Sequence, residues 1–364
     1  MTRTVRPTTP TRARRHLHRA AAGLVAALAL VVAACGGDDD TSGGGDAGGG
    51  RLTFGIAQQG TADHFPAYVA QEGGFFEDEG LDVEFVYFNS GSDFMTSFAS
   101  GDVQVGGGAA GSLITGVAAG IDARMTTGWL DSLSFDVVVD PEIGDWSDLE
   151  GRAVAISRAG SQTDIATRIV LEANGVDPAD VNIREVGGEA ERLAALQTGQ
   201  TQMALLNPAA RHTVEENGLE VLLPAEENDV PFQASGLVVA TSFLEEDRET
   251  AAAVVRAVLR AAEAIRDPEQ EQLIRDTIEA YLEPESEAEA DAIYEYVSQG
   301  TDVVYPPDGH VNIEGVESIL EVSGQLDEAT AGLTVGDVVD TSLTEEALAD
   351  AGSGGSGGGS EARG

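Results

Sequence analysis

The chain of 364 residues contains no lysine, one cysteine and five histidines. Its 20 basic residues, all arginine, face 63 acidic ones, for a formal net charge of −43. That balance excludes a nucleic-acid-binding role, because phosphate contacts need a basic face. It equally excludes attachment to an anionic membrane through protein charge. A single cysteine, Cys35, allows no internal disulfide and no cysteine-based metal site. From residue 51 onward only His64, His212 and His310 remain, without a His-x-x-x-His spacing, so no metal is expected. Without lysine there is no Gly-x-x-x-x-Gly-Lys phosphate loop, and residues 51–348 hold no Gly-x-Ser-x-Gly elbow. No cofactor is expected, and no enzyme. An acid excess of this size favours solubility and self-repulsion, and a monomer is expected.

The amino terminus is of a different kind. Arg3, Arg6, Arg12, Arg14, Arg15 and Arg19 precede an apolar stretch, Ala20 to Val32, too short for a comfortable membrane span. Val32, Ala33 and Ala34 then lead into Cys35, as in a bacterial lipobox. Residues 1–34 are read as a lipoprotein signal peptide, with Cys35 lipidated at the extracytoplasmic face of the cell membrane. Residues 35–50, acidic and glycine-rich, form a flexible tether, and residues 349–364 form a Gly/Ser tail without order.

Between these ends, strand, polar loop and helix repeat. Leu52–Ala57 reads as a strand feeding a polar loop, and Pro66 opens a helix that Gly73 and Gly74 stop. Leu81–Phe88 is a second strand, followed by a loop at Asn89–Asp93 and a helix ended by Gly101. Val103–Val105 is a third strand, running into a glycine loop. The pattern predicts a mainly parallel sheet flanked by helices, with ligands at the strand carboxyl ends. The motif recurs about a hundred residues on: Glu72–Val83 parallels Glu172–Ile183, and Phe98–Val105 parallels Leu196–Met203. Two similar α/β lobes with a cleft between them account for the duplication. The apolar strands Ser134–Asp140 and Ala234–Ala240 are the expected crossings. Lobe one is assigned residues 51–139 and 240–348, and lobe two residues 140–239. A long helix is expected from Glu246 to Ile265, ended by Asp267 and Pro268.

The run Phe65-Pro66-Ala67-Tyr68-Val69-Ala70, then Gly74-Phe75-Phe76 with Glu79-Gly80-Leu81-Asp82-Val83, then Phe98-Ala99-Ser100-Gly101 and Asp148-Leu149-Glu150-Gly151-Arg152, is an ordered set. It resembles the substrate-binding proteins of ABC importers in the nitrate/sulfonate/taurine and thiamine-pyrimidine-precursor group. One departure is that Gln104 and Gln202 stand where the group usually has Asp. The resemblance implies a two-lobed periplasmic-binding-protein-like fold of type II. It implies a lipid-anchored protein that delivers a small organic molecule to the transmembrane subunits of an ABC permease. The alternative is an extracytoplasmic enzyme on a related scaffold, such as a pyrimidine-precursor synthase. That enzyme carries a cysteine-rich motif, which this chain lacks.

The ligand-binding candidates lie on five loops and one tryptophan. Gln58, Thr61, His64 and Phe65 offer hydrogen bonds and aromatic faces, although Phe65 equally suits a helix-entry staple. Ser90 suits a ligand or, with Asp93, a capping box. Gly108 and Ser112 allow close backbone approach or tight helix-on-sheet packing. Arg158, Ser161, Gln162 and Thr163 open a helix whose free N–H groups suit an anion, and the resemblance implies a site there. Asn207 stands where the family faces its cleft. Trp129 suits stacking on a ligand or a place in the core. Asp63, Asp93 and Asp164 lie on the same loops and oppose a dianion.

Overall fold

The computed structural model describes residues 51–57, 60–228, 230–284, 286–298 and 304–354. Two five-stranded sheets organise them. The first lobe contributes β1 (Leu52–Ala57), β2 (Val83–Phe88), β3 (Val105–Ala109) and β4 (Ala123–Ser132). Its early helices are α1 (Phe65–Glu72), α2 (Phe75–Asp78), α3 (Gly91–Ser100) and α4 (Ala110–Ala118). The second lobe holds β5 (Asp136–Val139), β6 (Ala153–Ile156), β7 (Asn182–Glu185), β8 (Met203–Leu206) and β9 (Glu220–Leu223). Its helices are α5 (Gln162–Ala173), α6 (Glu189–Gln197) and α7 (Arg211–Glu216). The chain then returns through β10 (Pro231–Ala240) to α8 (Thr241–Glu246), α9 (Arg248–Arg266), α10 (Glu271–Tyr281) and α11 (Glu287–Ser298). It ends in α12 (Ile313–Leu326), α13 (Val335–Val338) and α14 (Ser342–Gly354).

The duplication seen in the sequence is a duplication of topology. Sheet one has the order β2-β1-β3-β10-β4 and sheet two β7-β6-β8-β5-β9. In each, two parallel pairings, β1 with β2 and β3, or β6 with β7 and β8, are followed by one strand running antiparallel to both its neighbours. Registers correspond as well: Phe54 pairs with Val105 as Val154 pairs with Met203.

The crossings fall elsewhere than the sequence places them. Val137 to Val139, expected to end lobe one, pair with β8 and β9 and start sheet two. Residues 231–239, expected in lobe two, pair with β3 and β4 in sheet one. The chain thus changes sheet between Ser132 and Asp136 and returns between Leu223 and Pro231. Both strands are almost wholly buried. That pattern marks a central strand but does not name its sheet.

Local chemistry sets the element ends. The Ser90 side chain caps α3, and Gly101 ends it at φ 77°, a left-handed conformation that favours glycine. The helix expected over residues 246–265 is α9, starting two residues later: Asp247 separates it from α8 and caps it by accepting from Thr250 N–H. Val254, Val255, Val258 and Ile265 of α9 are fully buried. Each is worth roughly 1.5–3 kcal/mol of transfer free energy. In β5 the period of two divides the core, since Val137 and Val139 join the large cluster and Val138 the smaller one beyond sheet two.

Candidate functional site

The loops after β1, β2, β3 and β4 in sheet one, and after β6 and β8 in sheet two, leave the strand carboxyl ends. The two lobes meet on the helices that follow: α5 packs on α4 and α12. A methyl group at Gly111 would stand 3.3 Å from Ile165 Cδ1.

In lobe two the turn from β6 to α5 gathers three hydroxyls. Ser157 Oγ lies 2.8 Å from both Ser161 Oγ and Thr163 Oγ1, which are 3.0 Å apart. Ser157 N–H donates to Thr163 Oγ1 at 2.9 Å. Ser161 Oγ also accepts from Asp164 N–H at 3.4 Å, capping α5. The Asp164 carboxylate, wholly buried, accepts from Gly160 N–H and from Arg168 Nε, each at 2.8 Å. Gln162 Nε2 is buried without an acceptor, and Arg158 is exposed with no ion pair among the described residues. The arrangement presents hydroxyls, an amide donor and the first N–H groups of a twelve-residue helix.

In lobe one the turn after β1 is a single 3-10 turn, Ala62–His64, entered from the extended, partly buried Thr61. His64 is not solvent-exposed as a ligand contact. Its Nε2 donates to Ala57 O at 2.5 Å, and its ring meets Trp129 edge-on at 6.0 Å. Burial drives its pKa down to about 4, against a smaller upward effect of the Ala57 carbonyl, so the ring is neutral. Phe65 and Trp129 present no face to a ligand either. They are 0% and 1% exposed, Phe65 tilted against Tyr305 at 6.1 Å. Trp129 fits in the core beside His64 because Gly107 leaves room for both rings.

One further expectation is corrected, the glycine loop, and the remaining candidates find these places. Gly106 to Gly108 form the body of β3, not a loop, and a Cβ at Gly108 would stand 2.5 Å from the Phe94 ring. Their small size serves helix-on-sheet packing. Ser112, on α4, is partly buried against Gly91 of α3. Ser90 is engaged in its cap, donating to Asp93 Oδ2 at 2.8 Å and accepting from Asp93 N–H at 3.1 Å. Asn207 is exposed, and its N–H donates to Glu189 Oε2 at 3.2 Å. Gln58 and Cys35 lie outside the described residues.

One group on these loops belongs to no network. Asp63 gives its backbone carbonyl to Ser235 Oγ at 2.7 Å, but its carboxylate has no hydrogen bond or ion pair among the described residues. The residue is partly exposed, and the protein packed around it raises its pKa to about 6. Tyr68, Tyr296 and Tyr305 stand close enough for its charge to raise their own pKa values, behind the larger effect of burial. The Tyr305 hydroxyl donates to Ala62 O. These tyrosines come from α1, α11 and the segment before α12, so their approach to residue 63 leaves no local signal in the sequence.

A profile of the family described as NMT1/THI5 like matches residues 61–271. Among curated proteins, YtlA of Bacillus subtilis, whose name assigns it provisionally to the binding proteins, is 23% identical over 272 residues, 72% of this chain and 80% of its own. Among solved structures, the periplasmic sulfonate-binding protein SsuA of Methylobacillus flagellatus superimposes with a TM-score of 0.62 at 18% identity, over 83% of this chain and 95% of its own. The periplasmic nitrate-binding protein NrtA of Synechocystis gives 0.60 at 14% identity, over 83% and 89%. At these identities the superpositions establish the periplasmic-binding-protein fold.

Proposed function

The chain belongs to the NMT1/THI5-like family, and from that premise we propose that it is the solute-binding component of an ABC importer. It is held to the outer face of the cell membrane by lipid on Cys35 and hands a small organic molecule to the permease. The molecule is sulfonate- or taurine-like, nitrate-like, or a pyrimidine precursor. The observation that carries the reading is the pair of matching sheets, joined by two crossings, with polar loops at the strand carboxyl ends. The α5 amino terminus and its three hydroxyls suit an acceptor-rich group of the ligand. Among the described residues no helix is long and apolar enough to cross a membrane.

Calorimetric titration with taurine, short alkanesulfonates, nitrate and aminopyrimidines tests the reading. One member binds at micromolar or tighter affinity, and small-angle scattering then shows a smaller radius of gyration, as the lobes close over it. No binding across the panel overturns the proposal.

A further inference from the structure

The 3-10 turn Ala62–His64 after β1 is a single turn, too short to fix its own shape. Its carbonyls are held from outside. The Tyr305 hydroxyl donates to Ala62 O, and Ser235 Oγ of β10 donates to Asp63 O at 2.7 Å. Both donors come from segments that also hold the crossings. Residues 304–312 run as a strap along β4, the outermost strand of sheet one. Val304 makes an antiparallel bridge with Leu130, Tyr305 N–H donates to Trp129 O at 2.6 Å, and Gly128 N–H donates to Gly309 O at 3.0 Å. The strap lies flush on the strand, since a Cβ at Gly128 would collide with His310 O. At its far end His310 meets Asp131 Oδ2 at 2.8 Å, while Asn312 bonds the Asp131 carbonyl at 3.0 Å and Gln233 Oε1 at 2.7 Å. Asp131 stands just before the outward crossing and Gln233 just after the return. Gln233 Nε2 donates in turn to Ser235 O at 2.7 Å. A closed circuit of bonds thus joins turn, strap, crossings and β10. It includes one strained residue: Tyr305, fully buried, has φ 48°, a left-handed conformation that a bulky side chain adopts only where its surroundings impose it.

We propose that Tyr305 positions the turn after β1 for the ligand, and that its strap couples seating of the ligand to closure of the lobes. This rests on the solute-binding reading, in which that turn faces the cleft. Closure moves lobe two about the crossings, and the lobe-one ends of those crossings are what His310 and Asn312 hold. A ligand that settles the turn settles Tyr305, and through its backbone bond to Trp129 the strap as well. By linkage the reverse holds: a strap loosened at its far end weakens a ligand that it never touches. Coupling of this kind is read from a double-mutant cycle, because the effects of independent sites simply add in free energy.

The test titrates taurine, ethanesulfonate, nitrate and 4-amino-5-hydroxymethyl-2-methylpyrimidine into the full chain, into Tyr305→Phe, into His310→Gln and into the double variant. Tyr305→Phe keeps the ring and removes only the bond to Ala62 O, and His310→Gln removes the imidazole that joins Asp131 to the strap. For the probe that the wild type binds, each single variant is expected to weaken binding fivefold or more, and the double variant no further than the weaker-binding single one. Two unconnected losses of that size would multiply to about 25-fold. In the wild type, hydrogen exchange at the Tyr305, Gly309 and Asn312 amides slows tenfold or more on saturation with the same probe, while Gly101 and Gly120, which follow α3 and α4, keep their rates. That measurement decides alone if a variant does not fold. Losses that multiply, an affinity that either single variant leaves unchanged, or unchanged exchange along the strap overturns the assignment and leaves the solute-binding reading standing. No binding of any probe to the wild type overturns both.

Discussion

Arg211 grips Asp136 through two hydrogen bonds, Nε to Oδ2 and Nη2 to Oδ1, each 2.7 Å long. Asp136 is the first residue of β5, directly after the outward crossing. Its Oδ1 also accepts from Ala225 N–H at 2.8 Å, at the start of the return crossing. One carboxylate therefore fixes both crossings to lobe two, while Arg211 extends the grip to Glu226.

Removing the arginine leaves Asp136, 1% exposed, without its charge partner. Breaking a buried pair this way costs about 3–5 kcal/mol. Arg211 is itself one-third exposed, so water reaches part of the gap and the lower figure applies. Urea unfolding of Arg211→Ala is expected to lose about 3 kcal/mol. Arg211→Lys recovers only part of it, because an ammonium cannot reproduce the fork.

Lobe one holds its ends of the crossings differently. His310 bridges Asp131 and Asp308, at 2.8 Å from each ring nitrogen. Asn312 bonds the Asp131 carbonyl at 3.0 Å and gives its N–H to Gln233 Oε1 at 2.7 Å. Burial lowers the His310 pKa, but the two carboxylates outweigh it and raise it above the ordinary histidine value. For Asp308 burial acts upward and is outweighed by the bonds to His310, so that acid titrates below its usual range. The imidazolium contributes stability in full below the unfolded pKa of about 6.5 and loses it as pH rises through the higher folded value. Unfolding free energies measured from pH 5.5 to 8.5 are expected to decline toward the alkaline end. His310→Gln flattens this part of the profile. Solvent screening of the half-exposed ring limits the effect to about 1 kcal/mol.

Gly107 is the gap into which two rings fit. A Cβ there would stand 2.7 Å from both His64 Nδ1 and Trp129 Cζ3. Both rings are buried and His64 is tied to Ala57, so neither yields freely. Gly107→Ala is expected to cost about 1–3 kcal/mol, as overpacking does, and to shift the tryptophan emission. Unchanged stability and spectrum would show that the rings can move apart.

Attachment to the membrane is tested at Cys35. Cys35→Ser is expected to move the protein from the membrane fraction to the soluble one and to abolish incorporation of labelled fatty acid. Retention of the variant on the membrane would count against the lipid anchor.

Periodicity and punctuation made much of the fold legible. Leu52–Ala57 is a strand, Gly73 and Gly101 close helices, and Ser90 caps where Asp93 stands three residues on. The sheet membership of β5 and β10 was not legible, since an apolar run fixes burial and not a partner. Nor was the pairing of Asp136 with Arg211, 75 residues apart. The same limit applies at the cleft. Phe65 and Trp129 are aromatic and near loops, yet a buried ring and a ligand-facing ring have the same composition. Asp63 drew notice as one acid among three. What separates it from Asp93 and Asp164 is the lack of a partner, which only assembled neighbours reveal.

The position of β10 also sets an order of folding. It stands between β3 and β4, and β4 has no other neighbour in its sheet. Sheet one therefore stays incomplete until residues 231–240 are available, after the whole of lobe two. Lobe two, continuous from Asp136 to Leu223, closes its own sheet without help. The later-made lobe is the one that can fold first, and the earlier one waits for a strand delivered across 98 intervening residues, a long-range pairing of the kind that slows folding.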